Sequence, residues 1–447
     1  MSLSPSKSDG VGPPIGEGGA ASPALILGGR RAFVTGLLAI VPMFAIIDRH
    51  LLSVILAPVQ RELGVSDTAM GVLSGLAFAV FYATAAIPVA RLADRGNRRN
   101  LLVIAFAIWS GATALCGLAG SYVHLLLARI GVAAGESAAN PAIMSMIGDL
   151  YPSNRRGGAV GLMFAATAIG MFAGSYLGGL INDLYGWRAA FILLGAPGVC
   201  LALLIWFLVP EPMRGAYDRG ARDTTSTMRT SELLRHLFRI RTFTPLLIGE
   251  CVSQMAFYSF LTWTPTMLIR VQGFSTTQAG LLFGVSMGVG GLLGSGLSGL
   301  AGDRLARNGV RWYLYLAGAS CLVGAPLVVM LLNVKSHWAM ATALTGFAII
   351  CGGVVSTALT AGLAIVEARA RAFMTAILYF CMNLVGAGLG PPIVGYISDV
   401  IRPAYGDHSL QIALYAVAIM LIVPAVSFFI AGRRIEADAL RVGATVG

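Results

Sequence analysis

Five ionisable side chains stand where hydrocarbon would penalise them. Asp48, Arg49 and His50 are consecutive inside an apolar run from about Phe33 to Val59, and Arg129 and Glu136 lie seven apart in another run, 122–150. A charge at bilayer depth costs ~2.5–3.5 kcal/mol on insertion scales, so such groups face protein or water and mark a substrate or proton path. Seven helical steps make nearly two turns, which puts Arg129 and Glu136 on one face about 10 Å apart. Asp48 and Arg129 are expected at one level. Arg49 points ~100° away from Asp48 and can reach Glu136. Burial raises a carboxylate pKa and a nearby arginine lowers it, so movement between the two environments couples protonation to conformation. Asp48 and Glu136 are therefore the candidate proton-coupling residues. Arg49 and Arg129 are candidate anchors for an anionic headgroup, since their fork suits phosphate or carboxylate. The plainer alternative is two buried ion pairs that fix the packing of two helices, and such pairs are weak stabilisers. His50 is a candidate relay or a packing residue. Glu250 is either a second coupling site or, as its place near a span end predicts, a side chain that snorkels to the interface.

The elements that position these groups are membrane spans. The 447 residues are 57% hydrophobic and 11% charged, with mean hydropathy +0.79; soluble chains carry about 25% charged residues. Twelve apolar spans are expected at about 32–59, 68–91, 100–120, 122–150, 156–182, 188–209, 243–269, 277–301, 312–333, 337–366, 371–398 and 409–431. With both termini cytoplasmic, twenty-four of the 31 Lys+Arg fall in inner segments and five (Arg61, Arg188, Arg270, Lys335, Arg402) in outer ones. That bias satisfies the positive-inside rule. The net charge of +11 thus reports topology, and no nucleic-acid partner is expected. Six cysteines lie in spans without a CxxC pair, which argues against a metal or redox site. No helical HExxH, nucleophile elbow or phosphate loop appears, so neither an enzyme nor a cofactor other than the coupling proton is expected.

The chain divides into a disordered cytoplasmic tail (1–28), a six-helix bundle (29–210), a cytoplasmic linker (211–242), a second six-helix bundle (243–432) and a tail (433–447). The linker segment Ser231–Arg241 is either an interfacial helix with Leu233, Leu234, Leu237 and Phe238 turned to lipid or a plain solvated linker. The halves repeat. Asp94-Arg95 is matched by Asp303-Arg304, Gly179-Leu-Ile-Asn-Asp183 by Gly395-Tyr-Ile-Ser-Asp399, and Arg155-Arg156 by Arg369 and Arg371. Parallel halves place a substrate site between them near the midplane. Asp94, Arg95, Arg155, Arg156, Asp303 and Arg304 are read as a cytoplasmic gating latch. In the second bundle Gln254, Tyr258, Trp263, Thr357, Tyr379 and Asn383 are cavity candidates, with no basic residue among them.

At these residues the chain resembles the major facilitator superfamily, through the two Asp-Arg loops and the glycine motifs Gly170-xxx-Gly174-Ser175 and Gly386-xxx-Gly390-Pro391. It is similar more narrowly to the Spinster family. The match rests on Asp48-Arg49, Leu63-Gly-Val-Ser-Asp67-x-x-Met-Gly71, Arg129 with Gly135-Glu136, Gly148-Asp149-Leu-Tyr-Pro152, Gly186-Trp-Arg-Ala-Ala-Phe191 and Glu211-Pro-x-Arg-Gly215. The resemblance implies a twelve-helix transporter of two pseudo-symmetric bundles, monomeric, in an inner or plasma membrane. Its expected cargo is an amphiphilic anion such as a lysophospholipid or sphingoid phosphate, moved with protons. Small organic anions, or a drug exchanged for protons, are the alternative cargoes. A non-transporting sensor is the different-class alternative.

Overall fold

Backbone groups in hydrocarbon must be satisfied within their own segment, so the apolar runs fold as helices. The computed structural model describes residues 28–215, 217 and 230–441. Among them, eight helical stretches are long and apolar enough to cross a membrane. Two of these, Ser153–Leu208 and Ala370–Arg441, each hold two spans. The fourth and seventh spans, one broken and one more polar, bring the number to twelve.

The first span is Gly28–Leu63 and the third Arg98–Cys116. The fourth is split into Tyr122–Glu136 and Ala139–Leu150, with the break directly after Glu136. The fifth and sixth form Arg156–Leu208, which turns at Gly186 (φ 84°), a backbone state that suits glycine. The second bundle follows as Phe243–Arg270, Thr276–Ala306, Arg311–Asn333 and a tenth span split at Gly352-Gly353 into His337–Cys351 and Val354–Leu363. The second and eleventh spans each carry a π turn, Val72–Leu76 and Met382–Ala387. The twelfth, Ser409–Met420 and Ile422–Arg441, runs on as helix past 432, and its Asp438 accepts from the Thr242 N–H and hydroxyl. Helix Thr230–Arg239 turns Leu233 and Leu237 into the second bundle's core and leaves Leu234 and Phe238 half exposed. Only half of its expected lipid-facing stripe is thus free of protein.

We call the face that bears both ends of the described chain the near face, and the other the far face. The bundles meet along two seams, first to second half, through the fifth and eighth spans and through the second and eleventh. Small residues set both. A Cβ on Gly71 would stand 2.6 Å from the Pro391 carbonyl oxygen, and one on Gly280 would stand closer still to the Ser175 carbonyl oxygen. Neither fits without moving backbone.

At the far face each seam ends in a helix cap that crosses between bundles. Asp183, at the end of the fifth span, accepts from the Thr276 and Thr277 N–H groups (3.3 and 2.8 Å) and from both hydroxyls (2.5 and 2.6 Å). Asp399, at the end of the eleventh, accepts from the Asp67 and Thr68 N–H groups (2.9 and 2.7 Å) and the Thr68 hydroxyl (2.5 Å). Each carboxylate satisfies the orphan amides and favourable dipole end of the opposite bundle's helix. Arg270 adds a paired fork to Asp67 (3.0 and 2.9 Å). The far face is therefore closed.

Candidate functional site

Between the bundles lies a cavity of ≈ 170 Å³. Both π turns line it, through Ser74 and Gly75 on one side and Asn383 and Ala387 on the other. Such turns recur at functional sites because the extra residue re-aims its neighbours.

The first bundle supplies the charge. Arg49 Nη2 and Nε donate to one oxygen of Glu136, at 2.8 and 3.1 Å. The other oxygen, Glu136 Oε1, is buried without a partner. Arg129 is 2% exposed, and its Nε and Nη1 have no hydrogen-bond partner. Both arginines approach the Phe78 ring, with the Arg49 guanidinium carbon 4.6 Å and that of Arg129 5.4 Å from its centroid; the Tyr82 ring is 5.6 Å from Arg49. A ring face stabilises a guanidinium without consuming its N–H donors. Two cations are thus held at the cavity wall with donors in reserve.

Asp48 is placed differently from its neighbours. Arg49, His50 and Arg129 line the cavity, but Asp48 lies behind it, 1% exposed, with both oxygens lacking a hydrogen bond. It shares its electrostatic surroundings with Arg129, Glu136 and Thr113 of the third span, whose residue type alone does not mark it for this site. His50 sits against Phe283 of the eighth span (centroids 6.1 Å apart), with Nδ1 unpartnered.

The second bundle contributes Phe257, Tyr258, Leu261, Thr262 and Asn383. Of the six cavity candidates, only Tyr258 and Asn383 reach this cavity. Trp263 is fully buried and donates to the Pro391 carbonyl at 2.9 Å. Thr357 bonds its own helix at Gly353 and Val354. Gln254 faces a minor void inside the second bundle, and Tyr379 is half exposed on the eleventh span.

Glu250 does not snorkel. It is 1% exposed, deep in the second bundle, and neither oxygen has a partner. Depth along a span does not say which face a residue takes, and this one faces inward. Since a buried lone carboxylate is costly, Glu250→Met, which is close in volume, should raise the thermal unfolding midpoint of the detergent-solubilised protein. A lowered midpoint would show that the carboxylate holds the bundle together.

At the near face, the hydrogen bonds described for Arg156 and Asp303 lie within their own bundles. Arg156 donates to the Tyr151 and Gly148 carbonyls that end the fourth span. Arg155 begins the fifth span at the surface. The contacts of the Asp94 side chain lie outside the described residues; its neighbour Arg95 is exposed. Asp303 accepts from the Tyr313 hydroxyl (2.8 Å) within its own bundle, and Arg304 is exposed nearby. The dense network there is instead Arg98, which donates to Asp149, Glu211 and the Pro212 carbonyl, together with Arg214, which closes the second span at Ala93 and Gly96.

The family model of the Major Facilitator Superfamily matches residues 38–391. An MFS-type efflux pump of Mycolicibacterium smegmatis is 31% identical over 92% of this chain and 95% of its own. A sphingosine-1-phosphate transporter of Danio rerio is 27% identical over 86% of this chain and 80% of its own. The crystal structure of a bacterial homologue of the human lysosomal transporter Spinster, inward-facing and unoccupied, superposes with a TM-score of 0.82 at 27% identity, covering 92% of this chain and 98% of that one.

Proposed function

The chain belongs to the major facilitator superfamily and is Spinster-like, and from that premise we propose that it moves an amphiphilic anion by alternating access coupled to protons. Members of this family are membrane transporters, not enzymes. The observation that carries the cargo class is the two-sided cavity: Arg49 and Arg129 around Phe78 on one wall, Phe257, Leu261 and Met171 on others. A phosphate or carboxylate headgroup takes the free guanidinium donors, and an alkyl chain takes the apolar wall. A lysophospholipid or sphingoid phosphate has this shape. The efflux-pump relative favours a second reading, export of a drug in exchange for protons. A neutral or cationic drug leaves the unpartnered donors of Arg129 without a task, which is why the anion ranks first.

Protons enter at Asp48 and Glu136. Arg49 satisfies half of Glu136, and Asp48 stands beside Thr113 and Arg129 without a close hydrogen bond to either. When an anionic headgroup draws Arg49 away, Glu136 loses its counter-charge and takes up a proton, so cargo and proton share one arginine. The near face is cytoplasmic in this reading, which the arginine bias and the likeness to an inward-facing structure support.

Proteoliposomes loaded with and without a pH gradient test the function. Lysophosphatidate or a sphingoid phosphate should accumulate with the gradient, and short organic acids should not. The reverse pattern overturns the cargo class. Asp48→Asn should retain folded protein and substrate binding but lose gradient-dependent uptake. Coupling that persists in that variant removes Asp48 from the proton path.

A further inference from the structure

On the far face, a second cavity of ≈ 420 Å³ is lined by Ala57, Gln60 and Arg61 of the first span, Arg270 of the seventh, and Arg402 and Asp407 before the twelfth. Helix register ties it to the central cavity. Ser53 faces the centre, and Ala57, Gln60 and Gly64 continue that stripe at spacings of four, three and four. On the seventh span Thr262 faces the centre and Ile269 continues its face seven residues on. Residues so spaced share a helix face. The same faces of the same two helices therefore line both cavities. Between them stands the closed gate, where Asp67 is gripped by Arg270 and by Gln60 (2.7 Å).

The charge there is unusual for this face. Its segments hold only five basic residues, and three of them converge on this one cavity. Arg188, elsewhere, is paired with Glu62. Arg270 is neutralised by Asp67. Arg61 and Arg402 come from opposite bundles, are exposed, and have no hydrogen-bond or ion-pair partner among the described residues. Asp407 is the one carboxylate in the lining.

We propose that this cavity is a second anion site, the far-face mouth of the route whose middle is the Arg49–Arg129 cavity; this rests on the reading of the protein as an anion transporter. Its ligand is an oxyanion, phosphate or carboxylate, held between Arg61 and Arg402. Exposed guanidinia bind weakly and are screened by salt. The site therefore loads or releases cargo instead of storing it, and raises the local anion concentration at the gate. Arg270 lies at the boundary, so it can pass from Asp67 to an arriving anion.

The test uses the full chain in zwitterionic nanodiscs with Arg129→Gln, which weakens the central cavity. Inorganic phosphate, gluconate and lysophosphatidate are titrated calorimetrically at low and high salt. Binding should persist in this background, weaken with salt, and fall about tenfold when Arg61→Gln and Arg402→Gln are added, each exposed arginine being worth a fraction of that. Both added positions are at the surface, so the fold is retained, and a melting curve checks it. Retention only of lysophosphatidate supports a lipid headgroup as the ligand; retention of phosphate or gluconate supports free solutes. Binding unchanged by the two added substitutions, or indifferent to salt, overturns the mouth. The central reading fails separately, if Arg129→Gln alone transports normally.

Discussion

Replacing Arg129 with glutamine should weaken binding of an anionic headgroup by about 100-fold or more while leaving thermal stability unchanged or raised, because two charge-assisted hydrogen bonds are worth ~1.5–3 kcal/mol each. The two effects have opposite signs for one reason. Arg129 is almost wholly buried, and Nε and Nη1 bond to nothing in the protein. A guanidinium kept in that state costs stability. The protein tolerates it because the Phe78 face and the neighbouring carboxylates offset part of the cost. A structural arginine behaves otherwise: Arg98, which donates to two carboxylates, a hydroxyl and a carbonyl, should destabilise the near face when removed. Paired titration and melting measurements on Arg129→Gln decide the matter. A melting point lowered by many degrees with affinity intact would make Arg129 a packing residue.

Much of the charged cluster is legible from register alone. Arg49 reaches Glu136 because one points about 100° from Asp48 and the other sits on the facing stripe of a neighbouring helix. The seclusion of Asp48 is not legible, since it depends on where the third span puts Thr113. The fourth span reads as one helix, but it breaks after Glu136, and the tenth breaks at Gly352-Gly353. Hydropathy averages over such breaks. Trp263 reads as a cavity aromatic only because its residue type suits one; its indole N–H instead satisfies the Pro391 carbonyl. The far-face acids are visible as a repeat, Asp183 and Asp399. Their targets form a second repeat, Gly64-Val65-Ser66-Asp67-Thr68 and Gly273-Phe274-Ser275-Thr276-Thr277, with both glycines at positive φ (64° and 74°). One dimension does not reveal that the fifth span meets the eighth and the eleventh meets the second.

That pairing of repeats yields the second large effect. Removing a capping carboxylate costs about 1 kcal/mol for one satisfied amide. Asp183 and Asp399 each hold two amides and at least one hydroxyl across a bundle seam. Asp183→Ala with Asp399→Ala should therefore raise the population open at the far face by about 100-fold or more, at ~3–4 kcal/mol in total. Spin labels at exposed far-face positions on opposite bundles, such as Tyr185→Cys and Trp338→Cys, would read the change as a longer inter-label distance. Unchanged distances would show that the glycine seams alone hold the face shut. The single variants carry a further distinction. If the bundles rock as rigid bodies, opening breaks both caps at once, and the two free energies should add. If one cap frays locally while the other holds, its single variant should leave the distance distribution unmoved, and the double variant should show no more than the stronger single. Additivity would identify the two acids, separated by more than two hundred residues in sequence, as halves of one gate.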